Sequence, residues 1–127
     1  MARILVVDDD EHIRELVVVR LRHEGHTVMA AGSPTEALAI IADRGAPDVA
    51  VLDIDMPEMN GLQLLIQLRL AVADDALPAV FLSGHVRDND IEAGRALGAT
   101  YLTKPFIATA LIAAVERSVR AQEDTGW

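Results

Sequence analysis

Cysteine is absent from the 127-residue chain, which excludes disulfide scaffolds, Cys-ligated zinc, iron–sulfur clusters and thiol nucleophiles. Aromatic residues are scarce: one Trp, one Tyr and two Phe stand beside 20 alanines. Any core must therefore be assembled from small aliphatic side chains. Basic residues are few, 11 Lys and Arg against 20 Asp and Glu for a net charge of −9, the wrong sign for coating nucleic acid or an anionic membrane. Such a chain is better suited to collecting cations or meeting basic partners. No apolar run approaches the roughly 18 residues that cross a bilayer. The N-terminal run Ile4-Leu5-Val6-Val7 turns acidic at Asp8 before a signal peptide's apolar segment is complete, so the expected location is the cytoplasm, without membrane insertion. Repeats, low-complexity tracts and Pro/Gly/Ser linkers are missing as well. What is present is 51% hydrophobic and 24% charged residues, the balance of a folded domain. At this length about two-thirds of the unfolded surface can be buried, enough for a single core.

Five short apolar runs, Ile4 to Val7, Thr27 to Ala30, Val49 to Leu52, Ala79 to Leu82 and Tyr101 to Leu102, are mostly continuous rather than alternating, the pattern of strands covered on both faces. Helical periodicity fills the gaps between them. Ile13, Leu16, Val17 and Leu21 are expected to share one buried face, and Gly25 supplies a left-handed stop. Ser33-Pro34-Thr35-Glu36 reads as a capping box with proline at the first helical position. A third helix starts at Asn60-Gly61 and runs to about Leu70, and a weaker fourth covers about Asp88 to Leu97. The last keeps Ala108, Leu111, Ile112, Val115 and Val119 in register. Five strand–helix repeats imply right-handed crossovers and an α/β fold, a doubly wound five-stranded parallel sheet between helical layers. Ligands bind such sheets at the carboxyl ends of the strands, where the strand order reverses.

Those ends are polar. The first strand ends in Asp8-Asp9-Asp10, the third in Asp53-Ile54-Asp55 and the fourth in Ser83-Gly84, while Lys104-Pro105 follows the fifth. Neighbouring parallel strands lie about 4.8 Å apart, so these groups can converge. At about 5 Å and an effective dielectric of about 20, each pair of carboxylates repels by up to roughly 3 kcal/mol. A hard divalent cation with oxygen ligands relieves that repulsion, and Mg2+ suits a site open to a phosphate better than Ca2+ does. Lys104 adds a mobile point charge for a phosphoryl oxygen or for one Asp. The constellation is one that handles phosphoryl groups: a carboxylate can attack to form an acyl phosphate, and cation, Lys104 and a Ser83 hydrogen bond can stabilise the transferring oxygens. Singly, each residue has a plainer role. Asp10 is expected to be a helix N-cap rather than a ligand, Asp8 and Asp9 are helix-start charges, and Asp53, Ser83-Gly84 and Lys104 are a strand end, a turn and a solvated amine. Their joint placement at the ends of different strands favours the functional reading.

Three segments carry a family resemblance: Ile4-Leu5-Val6-Val7-Asp8-Asp9-Asp10, the block Pro47-Asp48-Val49-Ala50-Val51-Leu52-Asp53-Ile54-Asp55-Met56-Pro57-Glu58-Met59-Asn60-Gly61, and Tyr101-Leu102-Thr103-Lys104-Pro105-Phe106. With these the chain resembles the receiver domain of a bacterial two-component response regulator, of the single-domain, chemotaxis-regulator-like kind. The resemblance implies a flavodoxin-like (βα)5 fold with strand order 2-1-3-4-5 and a signalling phosphoacceptor rather than an enzyme. Asp53 would take a phosphoryl group from a histidine kinase or histidine phosphotransfer protein. Asp8 and Asp9 would hold Mg2+ with Asp53, and the main-chain carbonyl of Asp55 would add a ligand. Ser83 would contact the phosphoryl oxygen on activation, Tyr101 would be the aromatic switch, Lys104 would bind the phosphate, and the bond to Pro105 would be cis. A downstream protein would read the altered surface, as a monomer or a phosphorylation-dependent dimer, with no direct nucleic-acid contact.

Two features depart from the family pattern. The segment Gly98-Ala99-Thr100-Tyr101 is one residue shorter than usual before the switch aromatic. Asp55 and His85 fall at positions that tune phosphoryl lifetime in the family; otherwise His85 is a surface loop histidine, and His12, His23 and His26 have no metal-ligand spacing. Val18 and Val19 exceed what the buried stripe of the first helix needs, so they either broaden the core face or belong to a patch that docks a helical kinase bundle. Two other functions compete. Asp53-Ile54-Asp55 has the Asp-x-Asp form of a haloacid-dehalogenase-like phosphatase, but Pro57 stands where Thr or Val is usual and the motif lies mid-chain. A receiver-like interaction module that takes no phosphate would have lost an acidic residue or the Lys, and none is lost. Residues 1–120 are expected to form the receiver and 121–127 a flexible tail, either the end of a single-domain protein or the start of a linker.

Overall fold

The computed structural model describes residues 2–84 and 88–124. Ten elements alternate along the chain: β1 (Arg3–Val7), α1 (Glu11–His23), β2 (Thr27–Ala31), α2 (Pro34–Arg44), β3 (Val49–Asp53), α3 (Gly61–Val72), β4 (Ala79–Ser83), α4 (Asp88–Ala96), β5 (Thr100–Thr103) and α5 (Ala108–Asp124). The strands form one parallel sheet in the order β2-β1-β3-β4-β5. Their apolar runs are continuous because both faces are covered. Successive side chains point to opposite faces: Ile4 and Val6 of β1 pack with Val17 and Leu21 of α1 and Leu111 and Val115 of α5, whereas Leu5 and Val7 pack with Ile41 of α2 and Leu64 and Leu68 of α3. Among the described residues Phe81 is the largest fully buried side chain. Among the described residues no helix is long and apolar enough to cross a membrane.

The buried stripe of α1 differs from the one expected. Val17, Val18 and Leu21 are buried, while Leu16 is 53% exposed and Val19 62% exposed. At about 100° per residue Val18 lies closer to the axis through Val17 and Leu21 than Leu16 does, so Val18 completes the core and Leu16 faces out. The ends of the helices follow their sequence signals. Gly25 has a φ of 91°, and the N–H groups of Gly25 and His26 donate to the carbonyls of Arg22 and Leu21, a Schellman closure. Ser33 caps α2 by accepting from the N–H of Glu36 at 3.1 Å, but Glu36 turns its carboxylate to the N–H of Gly32 at 3.2 Å. The full reciprocal box forms at α3, where Asn60 and Gln63 each accept from the other's main-chain N–H at 2.9 and 3.0 Å.

Gly61, the first residue of α3, brings that helix against the end of β3. A Cβ at this position would lie 2.5 Å from the main-chain oxygen of Asp53, a contact that backbone must move to relieve. Gly61→Ala is therefore expected to destabilise the protein by about 1–3 kcal/mol, measured as a lower urea midpoint at unchanged slope. The substitution also perturbs the strand end that carries Asp53.

Candidate functional site

The strand order reverses between β1 and β3, the place where open sheets of this kind bind ligands. Their pairing sets Val7 beside Leu52, so the next residues along, Asp8 and Asp53, emerge side by side. Both are buried, at 1% and 3% exposure, whereas Asp9 is exposed at the rim. One carboxylate oxygen from each of Asp8, Asp9 and Asp53 lies within 4.8 Å of the other two. Lys104, one residue past β5, reaches across the sheet and places Nζ 3.0 Å from Asp8 Oδ2 and 3.3 Å from Asp53 Oδ1. Three carboxylates thus gather where one ammonium pairs with two of them, an excess of negative charge.

Main-chain and side-chain donors fix these groups in place. Asp10 accepts from the N–H groups of His12 and Ile13 at 3.0 and 3.2 Å, capping α1, and its own N–H donates to Asp8 Oδ1 at 2.9 Å. The cap therefore also orients a site carboxylate. Arg14, one turn into α1, donates from Nη1 to the main-chain oxygen of Asp8 at 2.9 Å. The N–H of Asp55 donates to Asp53 Oδ1 at 3.2 Å. Ser83, fully buried at the end of β4, donates from Oγ to Asp55 Oδ2 at 3.0 Å. The Lys104–Pro105 peptide bond is cis.

Sequence reasoning missed two of these contacts. Arg14 is readable only as one more polar residue in the first turns of α1, and nothing marks its reach back to β1. For Asp55 the expectation concerned its carbonyl and the tuning of phosphoryl lifetime, not a bond from its side chain to Ser83, 28 residues away in the chain. Tyr101 pairs in register with Phe81, their ring centroids 6.3 Å apart and tilted by 57°. Before it, α4 ends in a Schellman closure: the N–H of Gly98 donates to Arg95 O and that of Ala99 to Gly94 O, both at 2.9 Å, and β5 starts at the next residue. His85 lies outside the described residues, as do residues 125–127 of the expected tail; α5 itself continues to Asp124.

The charges respond to this crowding. Burial, reinforced by the neighbouring Asp8, pushes the Asp53 carboxyl up to about 7 against the pull of Lys104. For Lys104, burial alone would favour the neutral amine, but the hydrogen bond and attraction of Asp8, joined by Asp53, outweigh it and raise its pKa. The ammonium is retained while one of its partners is left under-compensated. A buried carboxylate that resists ionisation is a group waiting for more positive charge.

Residues 4–116 match the response regulator receiver domain model. The chain belongs to that family. It is similar to the DNA-binding response regulator MtrA of Mycobacterium tuberculosis, 37% identical over 123 residues that cover 96% of this chain and 52% of that protein. It is also similar to the regulatory protein VanRc of Enterococcus gallinarum, 38% identical over 119 residues, 93% of this chain and 50% of VanRc. The chain therefore spans about half the length of these curated relatives. Among solved structures it superposes on the chemotaxis protein CheY4 of Vibrio cholerae with a TM-score of 0.84 at 32% identity, covering 93% of this chain and 98% of that one. A CheY-like receiver domain protein of Methanospirillum hungatei gives a TM-score of 0.89 at 28% identity, covering 99% of both chains. Receiver domains of response regulators are signalling proteins.

The raised Asp53 pKa makes a stability prediction of definite sign. In the unfolded chain the carboxyl ionises near its ordinary value of 3.8; folded, it holds its proton to about 7, so the folded state binds more protons in between. Stability contributed by this group is complete below about pH 4 and is lost as the pH rises to about 7. In chelator, Asp53→Asn should gain little at pH 4 and up to about 4 kcal/mol at pH 8, measured by urea denaturation at both. A gain independent of pH would contradict the assignment.

Proposed function

We propose that this receiver domain accepts a phosphoryl group on Asp53 and reports it through a protein surface. The observation that carries this reading is a buried carboxylate lying between an ammonium, Lys104, and two further carboxylates. Asp53 would attack the phosphorus of a phosphohistidine; the P–N bond breaks, and the imidazole nitrogen keeps the electron pair and takes up a proton. The chain's own part is to hold the nucleophile in line, exclude water from it by burial, and neutralise the oxygens of the transferring group with Lys104. The carboxylates of Asp8, Asp9 and Asp53, with the Asp55 carbonyl, fit a hard divalent cation, since their charge exceeds what Lys104 compensates. Bound there, Mg2+ would supply further charge neutralisation at the phosphoryl oxygens.

The family points to a histidine kinase or histidine phosphotransfer protein as donor and a downstream protein as target. Leu16 and Val19, exposed on the helix that begins beside Asp9, offer apolar contacts for a helical donor. On the output side, added negative charge and acceptor oxygens on Asp53 draw Ser83 and Lys104 toward them, which changes the packing around Tyr101 and the α4, β5 and α5 surface.

Incubation with Mg2+ and acetyl phosphate, read by intact mass, tests the reading. A transient gain of one phosphoryl group, absent in Asp53→Asn and absent in chelator, is the expected result. Steady phosphate release from assorted esters would point instead to a phosphatase, and no adduct at all to an inert interaction module. Lys104→Ala should slow adduct formation without moving it to another residue.

A further inference from the structure

We propose that the Asp55 side chain is a positioning latch on Ser83, and that the domain switches by exchanging the Ser83–Asp55 hydrogen bond for one to the phosphoryl group. The exchange rests on the reading of Asp53 as phosphoacceptor; the latch itself does not. Ser83 Oγ has a single proton to donate. It donates that proton to Asp55 Oδ2 at 3.0 Å, from a side chain with no exposed surface. Asp55 is in turn tied to the site, because its N–H donates to Asp53 Oδ1 at 3.2 Å. One residue thus contacts the acceptor carboxylate through its main chain and the switch hydroxyl through its side chain.

The chemistry makes the two states exclusive. Hydrogen bonds to a carboxylate are shorter and stronger than those to a neutral acceptor, and in the resting domain Asp55 Oδ2 holds the Ser83 proton at 3.0 Å. A phosphoryl group on Asp53 brings three strong acceptor oxygens and additional negative charge. With one proton, Ser83 can serve only one of them at a time. Asp55 is exposed, so once released its carboxylate is solvated by water, which lowers the cost of the exchange. The latch biases the resting domain toward the off arrangement by the strength of one charge-assisted hydrogen bond, a bias that a neutral acceptor at 55 would supply only in part.

Two measurements on the full chain decide this. In the resting protein without Mg2+, the Hα–Hβ couplings of Ser83 should differ between the wild type and Asp55→Ala, with partial recovery in Asp55→Asn, which keeps a neutral acceptor. Unchanged couplings in Asp55→Ala overturn the latch, whatever the fate of Asp53. The second measurement is a double-mutant cycle on beryllium trifluoride binding in Mg2+. Asp55→Ala should tighten binding by about three- to tenfold, and by clearly less when Ser83 is also Ala, because only the removal of charge repulsion remains. Equal tightening in both backgrounds overturns the exchange. A wild type that forms no adduct overturns the phosphoacceptor reading and the exchange with it, while the couplings still decide the latch.

Discussion

The structure depends on one electrostatic imbalance: three carboxylates are gathered at the rim of the sheet and a single lysine ammonium faces them. Left alone, such a cluster opposes folding, and burial, reinforced by Asp8, raises the Asp53 pKa. The fold tolerates it because the rest of the sheet is covered on both faces by aliphatic side chains. Two of the three acids sit at the ends of the adjacent strands β1 and β3, within the most buried part of the sheet. Stability is given up where the carboxylates crowd, the arrangement expected of a functional centre.

The elements around the site convert this local imbalance into defined geometry. Asp10 ends the β1 loop, caps α1 and holds Asp8, so helix initiation and carboxylate placement are one event. Gly61 allows α3 to begin directly against the carbonyl of Asp53. On the far side of the sheet, the Schellman closure of α4 delivers the chain into β5 with Tyr101 level with Phe81.

Most of the architecture was legible in the sequence because parallel strands covered on both faces read as unbroken aliphatic runs, and the helices between them carry their own caps. The acidic strand ends, Ser83 and Lys104 were legible for the same reason: each follows an apolar run, and strand ends of a parallel sheet converge. Less legible was whatever depends on the rotation of a helix or on contacts across elements. Leu16 and Val18 are both apolar and differ only in how α1 is rolled against β2 and α5. Arg14 and the Asp55 side chain carry no pattern in sequence, since their partners, the Asp8 carbonyl and Ser83, are set by tertiary placement alone.

Calorimetric titration of the domain with Mg2+, alongside Asp9→Ala, tests the central claim most directly. The account predicts one saturable site in the wild type, with protons released near pH 7 as Asp53 ionises on binding, and loss of that site in Asp9→Ala. Absence of binding to the wild type, or binding that survives unchanged in the variant, would contradict it.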